Sequence, residues 1–325
     1  MKKVLSLILA LAMVFALVAC GEKQPASDGD ASSDGDKPAR GNVIMTFGTA
    51  GSMYPAGAAV SQVWTNNVQG VKCNTQTSTG SFQNCQDVST GEVDVAVATS
   101  DVVLNAYNGT GKFADIGKLD NLRVIGAVYT SVLSGVALKS SGLTYIHDLL
   151  GKRVAVGPAA SATENATLAA FAAMDITKDN TSLENLGLGD GILDAAFGFA
   201  GLPIGGQLNL AATKEIQVLD MTQEEIDKVL AGNAAYIQTK IPAGTYTGQD
   251  NDANTFGVKC LIIVTADMDA DLVYDLCKAM NEHTEEMAAG NALLKDMTDP
   301  SFLCTQMPIP LHDGAQKYYS EQGLI

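Results

Sequence analysis

Apolar and polar positions along this chain repeat one unit: a short apolar strand, a loop of small residues, then a helix-spaced run. Val43-Ile44-Met45 is the first apolar stretch, Phe47-Gly-Thr-Ala-Gly-Ser-Met-Tyr-Pro55 is the loop, and residues 56–68 carry helical spacing. The pattern predicts a strand running into a tight loop at a helix N-terminus. Such a terminus presents unpaired backbone N–H groups at the positive end of the helix dipole, which suits a carboxylate, a phosphate or another anion. The unit recurs with strand 71–77, loop 78–81 and helix 82–90, Gly91 serving as the C-terminal stop signal. Val-rich residues 93–98 form the next strand, ending in Thr99-Ser100-Asp101 before the amphipathic stretch 102–107. Residues 122–128 give another strand, ending at Tyr129. A βαβαβ order of this kind predicts an α/β fold with parallel strands and ligand loops at their C-terminal ends.

Strands at 132–138 and 153–156, with a short helix at 145–150 between them, start a second set. After Val156 the chain reads Gly157-Pro-Ala-Ala-Ser-Ala-Thr163 before helix formers at 164–174. A further unit has strand 195–199, loop 200–203 and helix 206–213, followed by a short strand at 216–219 and an exposed helix at 224–231. Residues 241–246 read as an extended crossing segment, 255–264 as a strand, 270–288 as one long amphipathic helix, and 314–322 as a terminal helix. On this reading the chain leaves one lobe near Tyr129 and returns to it near Thr255, so two crossings form a hinge beside a cleft. One Gly/Ser/Thr loop before a helix is an ordinary cap; four of them at strand ends, at 47–55, 78–81, 99–101 and 157–163, divided between two lobes, point to a shared site.

Composition narrows the ligand and the partners. The net charge of −16 disfavours nucleic acid. Arginine occurs only at positions 40, 123 and 153, so a bound anion is expected to be held by backbone N–H and hydroxyl groups more than by guanidinium. Lys2-Lys3, an apolar run over 4–19 and then Cys20-Gly21 read as a signal peptide, too short to span a bilayer. Leu17-Val-Ala-Cys20 resembles a bacterial lipobox, in which Cys20 becomes the lipid-modified N-terminus. Residues 21–41 are polar and small and read as a flexible tether. Cys73, Cys85, Cys260, Cys277 and Cys304 lack Cys-x-x-Cys spacing, which gives no support for a zinc or redox site, and packed thiols are expected for most of them.

The more distinctive motifs resemble a known family. Gly48-Thr-Ala-Gly-Ser-Met-Tyr-Pro55, Ile241-Pro-Ala-Gly-Thr-Tyr-Thr-Gly-Gln249 and Leu311-His-Asp-Gly-Ala-Gln-Lys-Tyr-Tyr319 are similar to motifs of the TAXI solute receptors. These are the extracytoplasmic binding subunits of one branch of the tripartite ATP-independent periplasmic (TRAP) transporters. Ser78 to Ser81, Ser100-Asp101, residues 151–158 and Asp194-Ala-Ala-Phe197 support the resemblance, which runs from about 44 to 325. It implies a two-lobed, type II periplasmic-binding-protein fold with two parallel-rich sheets. The assignment is a signal peptide over 1–19, an anchored tether over 20–41, lobe one from 42–130 and 255–325, and lobe two from 131–254. It also implies capture of a small carboxylate or glutamate-like amino acid without a cofactor, and delivery to a TRAP permease in the membrane. The ligand contacts implied are Thr49, Gly51, Ser52, Tyr54, Thr79, Gly80, Ser81, Ser100, Ser161, Thr163 and Gly201, with Tyr129 at the crossing. The sequence departs from the family at Tyr129-Thr130-Ser131, where Tyr-Pro-Glu is frequent, and at Ala160-Ser-Ala-Thr163, where Gly-Ser-Gly-Thr is usual. Residues 187–193 form a shorter segment than usual.

Two alternatives belong to other classes: a ligand-sensing surface lipoprotein that shows its closed form to a signalling partner, and a hydrolase. The second lacks support, since no Gly-x-Ser-x-Gly nucleophile turn occurs and the three histidines, His147, His283 and His312, fall on an exposed helix, a helix polar face and a turn. Gly109-Thr-Gly-Lys112 is followed by Phe113 and fails the P-loop pattern. Trp64 and Phe82 are expected in the core.

Overall fold

The structure is a computed structural model that describes residues 43–49, 53–159, 161–186 and 193–325, with side chains described from Phe47 onward. Cys20, the leader and tether, Gly51, Ser52 and the short segment 187–192 lie outside the described residues. In chain order the elements are β1 (Val43–Thr49), α1 (Tyr54–Asn67), β2 (Val71–Thr77), α2 (Ser81–Thr90), β3 (Val95–Thr99), α3 (Ser100–Asn108) and β4 (Leu122–Leu138). They continue with β5 (Arg153–Ala155), α4 (Ala162–Ala173), β6 (Ser182–Glu184), β7 (Ala195–Ala200), α5 (Gly205–Ala211), β8 (Ile216–Val218), α6 (Gln223–Gly232) and β9 (Tyr236–Ile241). The chain ends with β10 (Ala253–Thr265), α7 (Ala270–Glu282), α8 (Thr284–Gly290), tight 3-10 turns over Ala292–Thr298, α9 (Pro300–Cys304) and α10 (Asp313–Glu321).

The expected α/β class holds. In place of the two parallel-rich sheets expected, the strands form one mixed sheet in the order β2-β1-β3-β10-β4-β7-β5-β6, with β9 on β10 and β8 on β4, because antiparallel β4 and β10 bridge the parallel sets. Parallel triplets lie at the two ends: β1 pairs in parallel with β2 and β3, and β5 with β6 and β7. Antiparallel β4 and β10 join them, with Tyr129 opposite Cys260 and Val132 opposite Gly257.

The stretches 122–128 and 132–138, expected as separate strands, are one strand of 17 residues. Its middle is polar in sequence yet suits a strand, because each polar group there has a partner. The Thr130 N–H donates to Asp296 Oδ2 at 3.0 Å, Ser131 Oγ lies 3.3 Å from Cys260 Sγ, and Ser134 Oγ donates to Gln207 Oε1 at 2.7 Å. The neighbouring Thr255 Oγ1 donates to the Leu133 carbonyl at 2.8 Å. Opposite Thr130, Lys259 is buried and donates to the carbonyls of Phe302 and Thr305 at 2.9 and 2.8 Å, fastening α9 to β10. Burial pushes the Lys259 ammonium down to about 8.

Three more expectations are corrected. The long helix 270–288 breaks at His283, whose backbone (φ −116°, ψ 18°) leaves the helical region; Asn281, His283 and Thr284 are weak helix formers. Residues 242–246 are a tight turn in place of the expected extended segment, with the Thr245 N–H on the Pro242 carbonyl and Gly244 at φ 76°. The helix expected at 224–231 as exposed buries Ile226 and Val229 along one face.

Both faces of each parallel set are covered. Beside β1–β3, one core packs Phe47 and Trp64 with Leu276, Met280 and Tyr319, and another packs Cys85, Val103 and Phe113 with Leu261. Beside β5–β7, Phe171 and Phe197 pack with Leu149 and Ile226, and Val136, Ile216 and Tyr246 fill the other side. All five cysteines from Cys73 to Cys304 are free thiols.

His312 is buried and caps α10, its Nδ1 accepting the Gly314 N–H at 3.2 Å. Burial holds its imidazole below the ordinary value of 6.5. The unfolded chain therefore takes up the proton first as pH falls, so this contribution to stability is full above about pH 6.5 and declines below it. Urea titrations at pH 7.5 and pH 5 should show a loss in wild type that His312→Asn, which keeps a cap acceptor without a titrating ring, reduces.

Candidate functional site

The three parallel strands of the first triplet end in threonine: Thr49, Thr77 and Thr99. Backbone and hydroxyl bonds tie the following loops together. The Ser78 N–H donates to the Thr49 carbonyl at 2.8 Å, and the Thr99 N–H donates to Ser81 Oγ at 3.1 Å. Gly80, between Thr79 and Ser81, has φ 135° and ψ −172°, a conformation that favours glycine, and a Cβ there would meet open space. Its N–H donates to Ser78 Oγ at 3.3 Å. Thr49 is fully buried, and its Oγ1 has no hydrogen-bond partner among the described residues. Tyr54 opens α1 half-exposed, with its hydroxyl 3.4 Å from Thr75 Oγ1.

Side-chain N-caps are present on some helices and absent on others. The N-cap residues of α1, α2 and α3 (Met53, Gly80 and Thr99) make no side-chain cap bond. Those of α4, α6, α7 and α10 (Ser161, Thr222, Asp269 and His312) do. The N-cap residues of α5 and α8 (Ile204 and His283) also make none, and in α3 the Asp101 carboxyl takes the first-turn N–H groups of Asp101 and Val102.

Not every expected contact is free for a ligand. The Ser100 hydroxyl donates to the Ala235 carbonyl at 3.1 Å and is buried. Ser161 Oγ is occupied by the Glu164 N–H at 3.1 Å. Thr163 packs onto Gly157, which is at φ 100°; a Cβ there would lie 2.7 Å from Thr163 Cβ. Gly201 is a close-packed position: a Cβ would overlap Leu293 Cδ1 and lie 3.1 Å from Tyr129 Cδ2. Tyr129 and Gly201, distant in sequence, are thus brought together against Leu293.

Beside this contact lies a cavity of about 420 Å³, bordered by Thr130 and Val132 of β4, Leu202-Pro203, Lys240, and Leu293 with Asp296. None of the residues expected at the site lines it, although Thr130 and Leu202 adjoin Tyr129 and Gly201. Leu293 and Asp296 were not legible as site residues, since they sit in an ordinary helical run; the Ile241-Pro-Ala-Gly244 turn was the one signal on that side. Arg123 Nη1 donates to the Asp120 and Leu122 carbonyls at 2.9 and 2.8 Å.

Residues 44–323 match the NMT1-like family, and the chain belongs to that family. Solved structures to which it is similar include the alkanesulfonate-binding protein SsuA of Xanthomonas axonopodis pv. citri bound to MOPS. That chain is 14% identical, with 87% of this chain and 85% of that one covered and a TM-score of 0.47. The periplasmic aliphatic sulphonate-binding protein SsuA of Escherichia coli is 12% identical, covering 86% and 82% with a TM-score of 0.45. A substrate-binding protein of an ABC uptake transporter from Streptococcus pneumoniae with bound histidine is 13% identical, covering 77% and 94% with a TM-score of 0.43.

Proposed function

We propose that this protein is an extracytoplasmic solute receptor, lipid-anchored through Cys20, that captures a small carboxylate or amino acid and delivers it to a TRAP permease. The observation that carries the reading is the set of strand-end loops at Thr49, 78–81 and 99–101, joined by hydrogen bonds, with helices α1 and α2 starting at N-cap residues that make no side-chain cap bond. Such an edge offers several convergent N–H and hydroxyl donors with no arginine, the chemistry that holds a carboxylate. The resemblance of the motifs to TAXI receptors and membership of the NMT1-like family support the same reading.

In this mechanism residues 42–130 and 255–325 form one lobe and 131–254 the other, hinged on β4 and β10. The ligand docks on the strand-end loops and the second lobe closes over it. Closure removes water and strengthens each donor contact, and the closed population is what the permease reads.

A thermal-shift screen of dicarboxylates, amino acids and 2-oxo acids tests the reading. At about 100 times Kd a bound ligand adds about 2.7 kcal/mol, an upward shift of several degrees. No shift with any small acid overturns the reading. Gly201 gives a second check. Alanine there collides with Leu293 and crowds Tyr129, so Gly201→Ala is expected to weaken binding about tenfold, ~1.4 kcal/mol. Leu293→Ala in the same chain should restore most of it; calorimetric titration of both variants reads the coupling.

A further inference from the structure

Asp101 is the second residue of α3, directly after Ser100 and two residues after the Thr99 that binds Ser81. Its Oδ1 is closed off from solvent and has no hydrogen-bond partner among the described residues. It interacts electrostatically with the Cys85 thiol from α2, the Tyr236 phenol from the start of β9 and the Cys260 thiol from β10, and its carboxyl is hydrogen-bonded by the Thr99 hydroxyl and the N–H groups of Asp101 and Val102. None of them is a cation. The thiols and the phenol are held in their neutral forms, the phenol being pushed up to about 12 by burial and then by Asp101 itself. Burial raises the Asp101 carboxyl, while the Thr99 hydroxyl and the N–H groups of the first turn act against that rise. A carboxylate has about four acceptor positions, and here one oxygen stands unused.

A buried carboxylate without a cation is costly unless a partner of opposite charge arrives. The same edge of the sheet supplies donors, since α1 and α2 lack side-chain caps and Gly80 leaves open space at the α2 N-terminus. Donors for an acid and a single strong acceptor for a cation therefore sit at one set of loop ends. One class of small molecule carries both complementary groups, a carboxylate and an ammonium, on adjacent atoms.

Resting on the receptor reading above, we propose that Asp101 receives the ammonium group of the ligand, so that the protein selects α-amino acids over the 2-oxo acids of the same skeleton. A 2-oxo acid offers the donors the same carboxylate but presents a carbonyl oxygen to Asp101, leaving one acceptor facing another. Selectivity follows from this mismatch as much as from the pair formed with the amine.

The test pairs each common L-amino acid with its 2-oxo acid in calorimetric titrations of the wild-type protein, Asp101→Asn and Asp101→Ser, with circular dichroism to verify folding. The expected result is at least one amino acid bound tenfold or more tighter than its 2-oxo partner by wild type. Both variants should lose at least tenfold for that amino acid and leave the 2-oxo acid unchanged or improved. Tighter or equal binding of the 2-oxo acid by wild type overturns the proposal without recourse to any variant, as does an unchanged amino-to-oxo ratio in the folded variants; in both cases the receptor reading stands. Binding of neither series overturns the receptor reading and this assignment with it.

Discussion

Alanine at position 257 is expected to lower the unfolding free energy by about 3 kcal/mol, at the upper end of what one inserted methyl does in a packed interior. Gly257 faces Val132 where β10 passes β4. A Cβ there would run into the Ser131 carbonyl oxygen and lie 3.0 Å from Thr130 Cγ2. A side-chain end can rotate away; a carbonyl inside a hydrogen-bonded ladder cannot move without shifting the strand. Relief therefore requires β4 and β10 to separate, and these are the two strands that join the parallel triplets. Equilibrium denaturation of Gly257→Ala should show the loss, with a fall in Tm of about 5 °C. A variant as stable as wild type would mean that the strands tolerate a wider spacing than the described one.

Trp64→Ala carries the second large effect, about 4 kcal/mol. Trp64 is fully buried on α1, stacks on Phe47 at 5.5 Å between ring centroids, and donates Nε1–H to the Leu276 carbonyl at 3.0 Å. Its removal opens a void between β1, α1 and α7 and leaves that carbonyl without its indole partner. Trp64 is the sole tryptophan, so the measurement is urea denaturation followed by far-ultraviolet circular dichroism. At temperatures where the variant stays folded, ligand affinity should change little, because the indole points into the core. A large affinity loss in a fully folded sample would move Trp64 from core to site.

The strand-loop-helix rhythm was legible because it is local. Valine runs such as 93–98, the stop signal at Gly91 and the hydroxyl-rich loop ends each declare themselves within a few residues, and β1–α1–β2–α2–β3–α3 follows them closely. Non-local geometry was not legible. The polar centre of β4 looks like a break until Asp296, Cys260 and Gln207, all remote in sequence, are seen to satisfy it. Gly201 and Tyr129 read as separate ligand contacts, and only Leu293 between them reveals a packing notch. The Ser100 hydroxyl advertises a ligand in sequence but donates to the Ala235 carbonyl in the fold, and Ser161 Oγ also accepts the Glu164 N–H as the α4 cap. Asp101 went unremarked as a site residue because an acidic group in a first helical turn is the commonest of helix signals; only its solvent-sealed, unused Oδ1 sets it apart.

The N-termini of α1 and α2, without a side-chain cap from their N-cap residues, have a further consequence, for the energetics of the empty receptor. A side-chain cap is worth about 1 kcal/mol, so two helices started without one leave roughly 2 kcal/mol of attainable stability unrealised. On the receptor reading the solute itself is the missing cap: part of what a self-sufficient protein would settle during folding is deferred until the cleft is filled. A redesign that caps these helices internally would make a sturdier protein and a poorer receptor.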